Sequence, residues 1–502
     1  MKTRKNAVFM DDRPFIHEDV QKILKISQIA FLAACGCAGS PSGAGNRKMT
    51  GHEIRETLIH AGVVPNRQLG QNFLIDPNCA RWIVSNLELS PEDAVVEVGP
   101  GTGALTEHLI GQVRRLILIE FDAKLAAMLK ARHANDPSIE VHHEDAVKFD
   151  VRTLFKHRPL KFLGNLPYSC GGAILKNLLT RPHPFERAVI MLQKEVIDRL
   201  CAVPRTKSYG TLTLRIQSGW EVKSLRTIPP EAFFPRPQID SSVAVLKPRT
   251  KDVLPFDDRL FDELLRRGFA QRRKQMKKQM PESPEWELVA EEIGVSASSR
   301  AEELTLDQWV ALARAYDPHP LKATPQKGDE VFDVVDENDQ VTGRATRAEV
   351  HANGLLHRAV HVFVFNRRGD LLLQKRSHLK DAHPGVWDSS VSGHLDAGED
   401  YGAAAIRELA EEMGISDTSP EEIARLAPSP ATGWEHLRLY RCQFHGAVRY
   451  PCSEIDTAAW FPLDELTAWI KARPSDFASG FLECWKAVSE MVKEAKPSQD
   501  YP

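Results

Sequence analysis

Ala94-Val95-Val96-Glu97-Val98-Gly99-Pro100-Gly101-Thr102-Gly103 is the stretch whose reading decides the fold of the first half of the chain. The valine-rich run predicts a short buried strand, and the glycines after it predict a strand-to-helix turn with a helix from about Ala104. Glycine at such a turn lets the main chain approach a ligand closely, and a helix beginning there offers free amides. Outward from it, apolar runs alternate with helical segments in the pattern of a parallel α/β sheet. Leu116-Ile117-Leu118-Ile119 ends in Glu120, an acceptor placed for a ribose diol, and a third apolar stretch ends in Asp145-Ala146, suited to an adenine amino group. A fourth, Lys161-Phe162-Leu163-Gly164, runs into Asn165-Leu166-Pro167-Tyr168.

That tetrapeptide has a chemical rationale. Methylating an exocyclic adenine amine requires its hydrogens to be drawn into acceptors, so that the nitrogen lone pair faces a methyl donor. The Asn165 side-chain oxygen and the Leu166 carbonyl are such acceptors, Pro167 fixes the turn, and Tyr168 offers a face for an extruded base, a contact worth about 1–3 kcal/mol.

With these elements in order, residues 60 to 317 resemble the ribosomal RNA small-subunit adenine dimethyltransferase family. Arg67-Gln68-Leu69-Gly70-Gln71-Asn72-Phe73-Leu74 resembles that family's N-terminal motif, which closes over S-adenosylmethionine. Gln193-Lys194-Glu195-Val196, Tyr209-Gly210, the run from Phe233 to Ser241 and Phe269-Ala270-Gln271-Arg272-Arg273-Lys274-Gln275 are similar to its later motifs. The resemblance implies cofactor contacts from Gln71, Asn72, Leu74, Gly99, Gly101, Gly103, Glu120, Asp145, Ala146 and Asn165. It also implies Phe233 as a second wall of the base pocket, and small-subunit ribosomal RNA or a pre-30S particle as partner. A small helical domain is implied at about 251–318, where Arg266-Arg267, Arg272-Arg273-Lys274 and Lys277-Lys278 form a basic run expected on a helix and facing phosphates.

The second half carries a different signature. Gly393, five residues, Glu399, seven residues, then Arg407-Glu408-Leu409-Ala410-Glu411-Glu412-Met413-Gly414-Ile415 brings Glu408, Glu411 and Glu412 onto one face of a helix. Like charges so close repel unless a hard divalent cation neutralises them, which fits Mg²⁺ or Mn²⁺. Glu399 is placed to orient Arg407, and the Gly393 carbonyl to add a ligand. Upstream, His361-Val362-Phe363-Val364-Phe365, a Gly369-Asp370 turn and Leu371-Leu372-Leu373-Gln374 predict a hairpin.

This spacing is the Nudix signature, and residues 329 to 490 resemble that superfamily, whose members hydrolyse nucleoside diphosphates linked to another moiety. The resemblance implies Glu411 and Arg407 in catalysis, metal held by Gly393, Glu408, Glu411 and Glu412, and a small-molecule diphosphate as substrate. His351, Leu355 to Val360, Lys375-Arg376-Ser377, Pro384 to Asp388 and Ser392-Gly393-His394 further resemble isopentenyl-diphosphate isomerase and hydrolases near it. In the isomerase, positions like His351, His357, His394 and Glu435 hold a metal. Ser392 stands where the isomerase has a thiol, and a hydroxyl is a far weaker acid and base than a thiol of pKa about 8.5. His357 and His361 also read as ordinary hydrogen-bonded residues of one strand.

The fold class expected is therefore α/β: a Rossmann-like S-adenosylmethionine methyltransferase domain with a small all-helical domain, then an α+β Nudix domain. The 42 % hydrophobic content is spread in short segments, and no apolar run is long enough to span a membrane. Eight cysteines without paired metal-ligand spacing fit reduced thiols in a cytoplasmic protein. Residues 151–250 hold 17 basic against 6 acidic side chains, a surplus that suits a polyanion, whereas residues 321–502 hold 20 against 29. The units expected are 49–250, 251–318 and 329–490, with a Pro-punctuated linker at 319–328 and a tail at 491–502. Leu32-Ala33-Ala34-Cys35 looks like a lipoprotein cleavage site, but Lys25 and the acidic residues before it spoil the apolar core, so residues 1–48 are expected to be a disordered extension or an over-long start. Two alternatives stay open: an RNA-binding ribosome-assembly factor for the first half, and a diphosphate isomerase or ligand-binding module for the second.

Overall fold

Residues 51–65, 71–249, 255–318 and 328–494 are described by the computed structural model. The expected N-terminal extension, Arg67 to Gly70 of the cofactor motif, linker residues 319–327 and the last residues of the tail lie outside the described residues.

Valine, isoleucine and leucine fill both faces of the first sheet, as a parallel sheet covered on both sides requires. In chain order this half contributes β1 (Phe73–Leu74), β2 (Ala94–Val98), β3 (Arg115–Glu120), β4 (Ile139–His143), β5 (Leu160–Asn165), β6 (Phe185–Gln193), β7 (Trp220–Ile228), β8 (Phe233–Phe234) and β9 (Ser241–Pro248). Seven of these pair in the order β4-β3-β2-β5-β6-β9-β7. The pairs from β4 to β6 are parallel, and β9 runs antiparallel to both β6 and β7. Strand order reverses at β2, flanked by β3 and β5, so a crevice opens beyond the carboxyl ends of these strands. Short β1 and β8 pair as a separate ribbon with Leu74 opposite Phe233.

The helix expected from Ala104 is only a 3₁₀ turn, Thr106–His108. Its first residue is diverted: the Thr106 hydroxyl donates to Glu97 Oε2 at 2.7 Å, and the Arg132 guanidinium takes the Thr102 carbonyl at 2.8 Å. The following helical unit packs Asp258–Ala270, Trp286–Glu292 and Leu306–Ala315 around buried Trp309 and Met276. The basic run does not share one helix. Arg266 and Arg267 sit on Asp258–Ala270, whereas Lys277 and Lys278 sit on the separate turn Met276–Lys278, because Met276 N–H bonds the Ser299 carbonyl across the domain. Several of its charges are paired: Arg267 with Glu263 at 2.7 Å, Arg272 with Glu302 at 2.5 Å, and Lys277 with Glu287.

The second half forms the hairpin β10 (Val331–Val335) and β11 (Val341–Thr346), and a seven-stranded sheet from β12 (His357–Phe365), β13 (Leu371–Arg376), β14 (Trp387–Asp388), β15 (Val391–His394), β16 (Glu421–Leu426), β17 (Glu435–Gln443) and β18 (Ile455–Phe461). The hairpin expected at 361–374 corrects to a corner: β12 and β13 pair only at Phe365 with Leu371, then diverge. β12 continues against β15 and, in parallel, β17, while β13 takes β14 and β18. The helix Tyr401–Met413 is capped by Asp400 and ended by Gly414 in the left-handed region, and packs on β12 and β15.

The two halves are in contact. Phe155, on the turn Val151–His157 before β5, sits in an aromatic nest of the second half, its ring centroid 4.7 Å from Trp469, 5.7 Å from Phe461 and 5.9 Å from Trp387. Around it Lys156 pairs with Glu465 at 2.9 Å and Arg473 donates to the Arg158 carbonyl at 2.8 Å. Arg259 of the helical unit donates to the Val448 carbonyl at 2.9 Å. This docking lies at the amino end of β5 and Asn165 at its carboxyl end, roughly 17 Å apart for a strand of this length. Among the described residues no helix is long and apolar enough to cross a membrane.

Candidate functional site

The crevice beyond β2, β3 and β5 is a cavity of about 340 Å³. Gln71, Asn72, Leu74, Gly99, Gly101, Glu120, Asp145, Ala146, Asn165, Leu166, Pro167 and Tyr168 all line it. Gly101 has φ +59°, and a β-carbon there would stand 2.9 Å from the Phe73 ring, so only glycine permits this turn under β1. Glu120 is fixed at the end of β3 by the Gly101 amide at 3.0 Å and the Asp122 amide at 2.9 Å; burial nevertheless raises its pKa. The Asn165 amide nitrogen donates to the Asn72 carbonyl at 3.3 Å, which turns its oxygen to the other side as an acceptor. Tyr168 is half-buried and its hydroxyl is held by Ser241.

Two expected contacts lie elsewhere. Phe233 is buried in the core at 3 % exposure, because alternation along β8 turns it toward the cluster that holds Leu74 and turns Phe234 to the opposite face, against Phe73. Gly103 is not part of the lining; it packs against the Arg132 guanidinium, which a β-carbon would meet at 3.0 Å.

Glu97 was not singled out from the sequence, yet it lines the cavity while 1 % exposed. Thr106 bonds one of its oxygens, and the other has no hydrogen-bond partner among the described residues. Burial pushes its pKa up to about 8. An orphaned buried carboxyl oxygen beside a glycine turn suits a ligand carrying positive charge, as S-adenosylmethionine does. The readable signal was a charge inside a strand otherwise apolar on both faces.

In the second half, Arg407 is clamped by Glu399 through two bonds of 2.9 and 2.8 Å, and it also reaches Glu408 at 2.8 Å and Glu411 at 3.3 Å. Its last bond goes to the His394 carbonyl at 3.0 Å. Gly393 lies so close to Glu408 that a β-carbon would fall 2.1 Å from that carboxyl group. Glu412 is buried, accepting from the Ser392 amide at 3.1 Å and from Gln374 at 3.2 Å, while Glu411 is exposed. Burial and the neighbouring carboxylates push Glu408 up to about 7 and Glu412 up to about 8. Glu454, from the segment before β18, adds to this like-charge repulsion on both, and is itself bonded by Lys380 at 3.2 Å. Nothing local in the sequence marks Glu454. Crowded carboxyl oxygens with raised pKa form the donor set a hard divalent cation satisfies.

Next to them His351, His357 and His394 converge, with ligand atoms within 4.8 Å of one another. Hydrogen bonding assigns the protons of His357 and His394. His357 Nδ1 is 2.9 Å from the Leu355 carbonyl and must donate, which points buried Nε2 at Glu435 Oε1, 3.6 Å away. His394 Nδ1 accepts from Arg347 at 3.1 Å, so its Nε2 donates to Glu435 at 3.1 Å. His351, His357 and His394 form the cluster that could hold a cation, and His394, bonded at both ring nitrogens, must first surrender one of its bonds to join it. Ser392 donates to Asp388 at 3.4 Å rather than to any histidine.

A cavity at the reversal of a parallel sheet, beside Asn165-Leu166-Pro167-Tyr168, and a separate carboxylate helix are two distinct candidate sites, one in each half of the chain. Residues 64–317 match the ribosomal RNA adenine dimethylase family and residues 355–479 match the NUDIX domain. The chain belongs to the ribosomal RNA adenine dimethylase family and carries a Nudix domain fused to it; both regions belong to enzyme families. It is 36 % identical to ribosomal RNA small subunit methyltransferase A of Syntrophotalea carbinolica over 263 residues, covering 51 % of this chain and 98 % of that one. With the Bacillus cytotoxicus protein of the same name it shares 36 % over 287 residues, covering 54 % and 98 %. The solved structure of DR0079 from Deinococcus radiodurans is 28 % identical, covers 28 % of this chain and 90 % of its own, and superposes with a TM-score of 0.27.

Proposed function

We propose that the chain is a bifunctional enzyme whose first half dimethylates adjacent adenines of small-subunit ribosomal RNA with S-adenosylmethionine. The observation that carries this reading is the Asn165 amide, oriented by the Asn72 carbonyl at a cavity that Glu97, Gly101 and Glu120 shape for the cofactor. When bound, S-adenosylmethionine supplies the electrophilic methyl group. Asn165 Oδ1 and the Leu166 carbonyl accept the two hydrogens of the adenine amine and aim its lone pair into the cavity. Tyr168, steadied by Ser241, supports the base by stacking. Units of 49–250 and 251–318 divide the work, the second bringing exposed Arg273, Lys274 and Lys278 to RNA phosphates. Transfer of labelled methyl groups to undermethylated small subunits tests the reading; no transfer by the intact chain, with the cofactor bound, favours the assembly-factor alternative.

The Nudix unit, 329–490, is proposed to hydrolyse a small diphosphate and not to isomerise prenyl diphosphates. Glu408, Glu411, Glu412 and the Gly393 carbonyl would hold Mg²⁺ or Mn²⁺; Arg407 holds Glu408 and Glu411 in register, and the Ser392 amide and Gln374 hold Glu412. Divalent cations, when bound there, offset diphosphate charge and assist attack of water on phosphorus. Ser392, tied to Asp388, lacks the acidity to protonate an alkene. Incubating the full chain with isopentenyl diphosphate and measuring both phosphate release and dimethylallyl diphosphate separates the possibilities. Isomer without phosphate reverses the choice, and inertness toward every diphosphate favours a ligand-binding module.

A further inference from the structure

We propose that Arg226, stacked on Trp82, and Arg55, stacked on Phe234, are phosphate clamps for the RNA strand that delivers the target adenine; this rests on the methyltransferase reading above and names where its partner docks. Among the described residues five guanidinium groups lie over an aromatic ring. Three of them are also paired with acids: Arg181 with Asp258 at 2.7 Å, Arg358 with Asp339 at 2.5 Å, and Arg438 with Asp339 and Glu422 at 3.4 Å each. The other two are Arg226, 5.5 Å from the Trp82 ring centre, and Arg55, 4.8 Å from that of Phe234. Both are exposed, and among the described residues neither guanidinium has an ion pair or a hydrogen bond. A guanidinium held flat on a ring keeps its N–H groups free at the edge, the geometry that takes phosphate oxygens two at a time.

Strand register fixes where Arg226 stands. Across β7 and β9, Arg226 pairs with Val243 and Ile228 pairs with Ser241. Val243 and Ile228 both lie in the core cluster of Phe233, so Arg226 and Ser241 share that face of the sheet. Ser241 holds the Tyr168 hydroxyl, and Arg226 stands about 7 Å along β7 and about 5 Å across from it. A bulge between Ser224 and Arg226 sends Leu225 into the same core cluster and leaves Arg226 to turn out onto Trp82. β7 is the edge strand, so this side of the sheet is open to a partner. Exposed Lys223, opposite Val245 of that cluster, and exposed Arg81, next to Trp82 on Pro77–Ser85, extend the positive charge. Arg55 is placed by its ring: Phe234 pairs with Phe73, which lines the cavity and follows Asn72, the residue that orients Asn165. In the basic run of the helical unit Arg267, Arg272 and Lys277 already have acidic partners, whereas Arg226 and Arg55 need release none to take a phosphate.

The experiment measures binding of the full chain to undermethylated small subunits across a salt series, with S-adenosylmethionine affinity and melting temperature followed in parallel. Arg226→Ala should weaken subunit binding roughly tenfold and lower the slope of log affinity against log salt by about one, as loss of one phosphate contact does. Arg226→Lys should keep the slope and recover only part of the affinity, because an ammonium carries the charge without the flat fork. Arg55→Ala should act like Arg226→Ala, and the double variant should lose about two units of slope. Arg367→Ala, which removes an exposed arginine of the second half, should change nothing. Cofactor affinity and melting temperature should hold in all of these variants. Unchanged affinity and slope in Arg226→Ala, an equal loss in Arg367→Ala, or a loss that tracks the melting temperature overturns the clamp and leaves the methyltransferase reading standing. Absence of methyl transfer by the intact chain sinks that reading instead, and the clamp then stands or falls on subunit binding alone.

Discussion

The cofactor crevice of the first half and the carboxylate cluster of the second are built on opposite principles. Around the crevice the main chain does the shaping: Gly101 yields space to Phe73, amides hold Glu120, and the Asn72 carbonyl orients Asn165. In the Nudix unit, side-chain charge does it, with Glu408 and Glu412 crowded together and Glu408 and Glu411 kept in register by Arg407, itself clamped by Glu399. A site shaped by backbone tolerates loss of one polar group in binding and suffers in chemistry. A site defined by charge suffers in both, because its ligand is the counter-charge.

The largest expected effect follows from that contrast. Asn165→Ala removes an acceptor that acts on the adenine amine, so methyl transfer should fall by roughly 10²–10³, the range for losing one preorganised transition-state contact. Cofactor affinity, measured by calorimetry, should change by only a few-fold. Equal losses in affinity and turnover would break the contrast. Next, Glu411→Gln or Glu412→Gln should lower Mg²⁺-dependent hydrolysis by about 10² and also weaken metal affinity, with partial rescue by excess metal. Rescue to full turnover would show that charge is not what defines this site.

The same substitution placed in both sites sharpens the comparison further. Gly101→Ala meets Phe73 and strains a positive φ, so it should weaken S-adenosylmethionine binding about tenfold while leaving Nudix turnover intact. Gly393→Ala pushes into the Glu408 carboxyl, so it should raise the Mg²⁺ concentration needed for half-maximal hydrolysis and leave cofactor binding intact. Cross-effects between the halves would point to coupling through the Phe155 contact.

What the sequence made legible follows the same division. The glycine turn, Glu120, Asn165 to Tyr168 and the spacing of the three glutamates are local patterns, readable because each chemistry needs those residues at those intervals. Phe233 was misread because two adjacent phenylalanines on one strand must face opposite ways, and only the pairing of β8 with β1 decides which is buried. Gly103 was misread because the expected helix does not form. Glu454 and Phe155 were invisible, since one acts on Glu408 and Glu412 through its charge from the segment before β18 and the other meets its partners more than two hundred residues away in the chain. The histidines were legible as a set, but not the protons of His357 and His394, which are assigned by Leu355, Arg347 and Glu435.

The smallest effect compares buried carboxyls across the two sites. Glu97 and Glu412 are both pushed up to about 8, each mainly by burial. A group whose folded pKa is raised contributes stability that is fully present below its unfolded value, near 4.5, and is lost as pH rises through the folded value. Without ligands, both residues should therefore cost the intact chain stability between pH about 5 and about 8. Glu97→Gln and Glu412→Gln remove the titrating group, so the melting temperature of each variant minus that of the intact chain should grow across this window. The ligands then separate the sites. Mg²⁺ should shrink the difference for Glu412→Gln and leave that for Glu97→Gln unmoved, whereas S-adenosylmethionine, whose positive charge would suit the orphaned oxygen of Glu97, should do the reverse. A difference that falls with rising pH would remove burial as the cause of either shift, and a response of both variants to one ligand would mean that the two sites are not electrostatically separate.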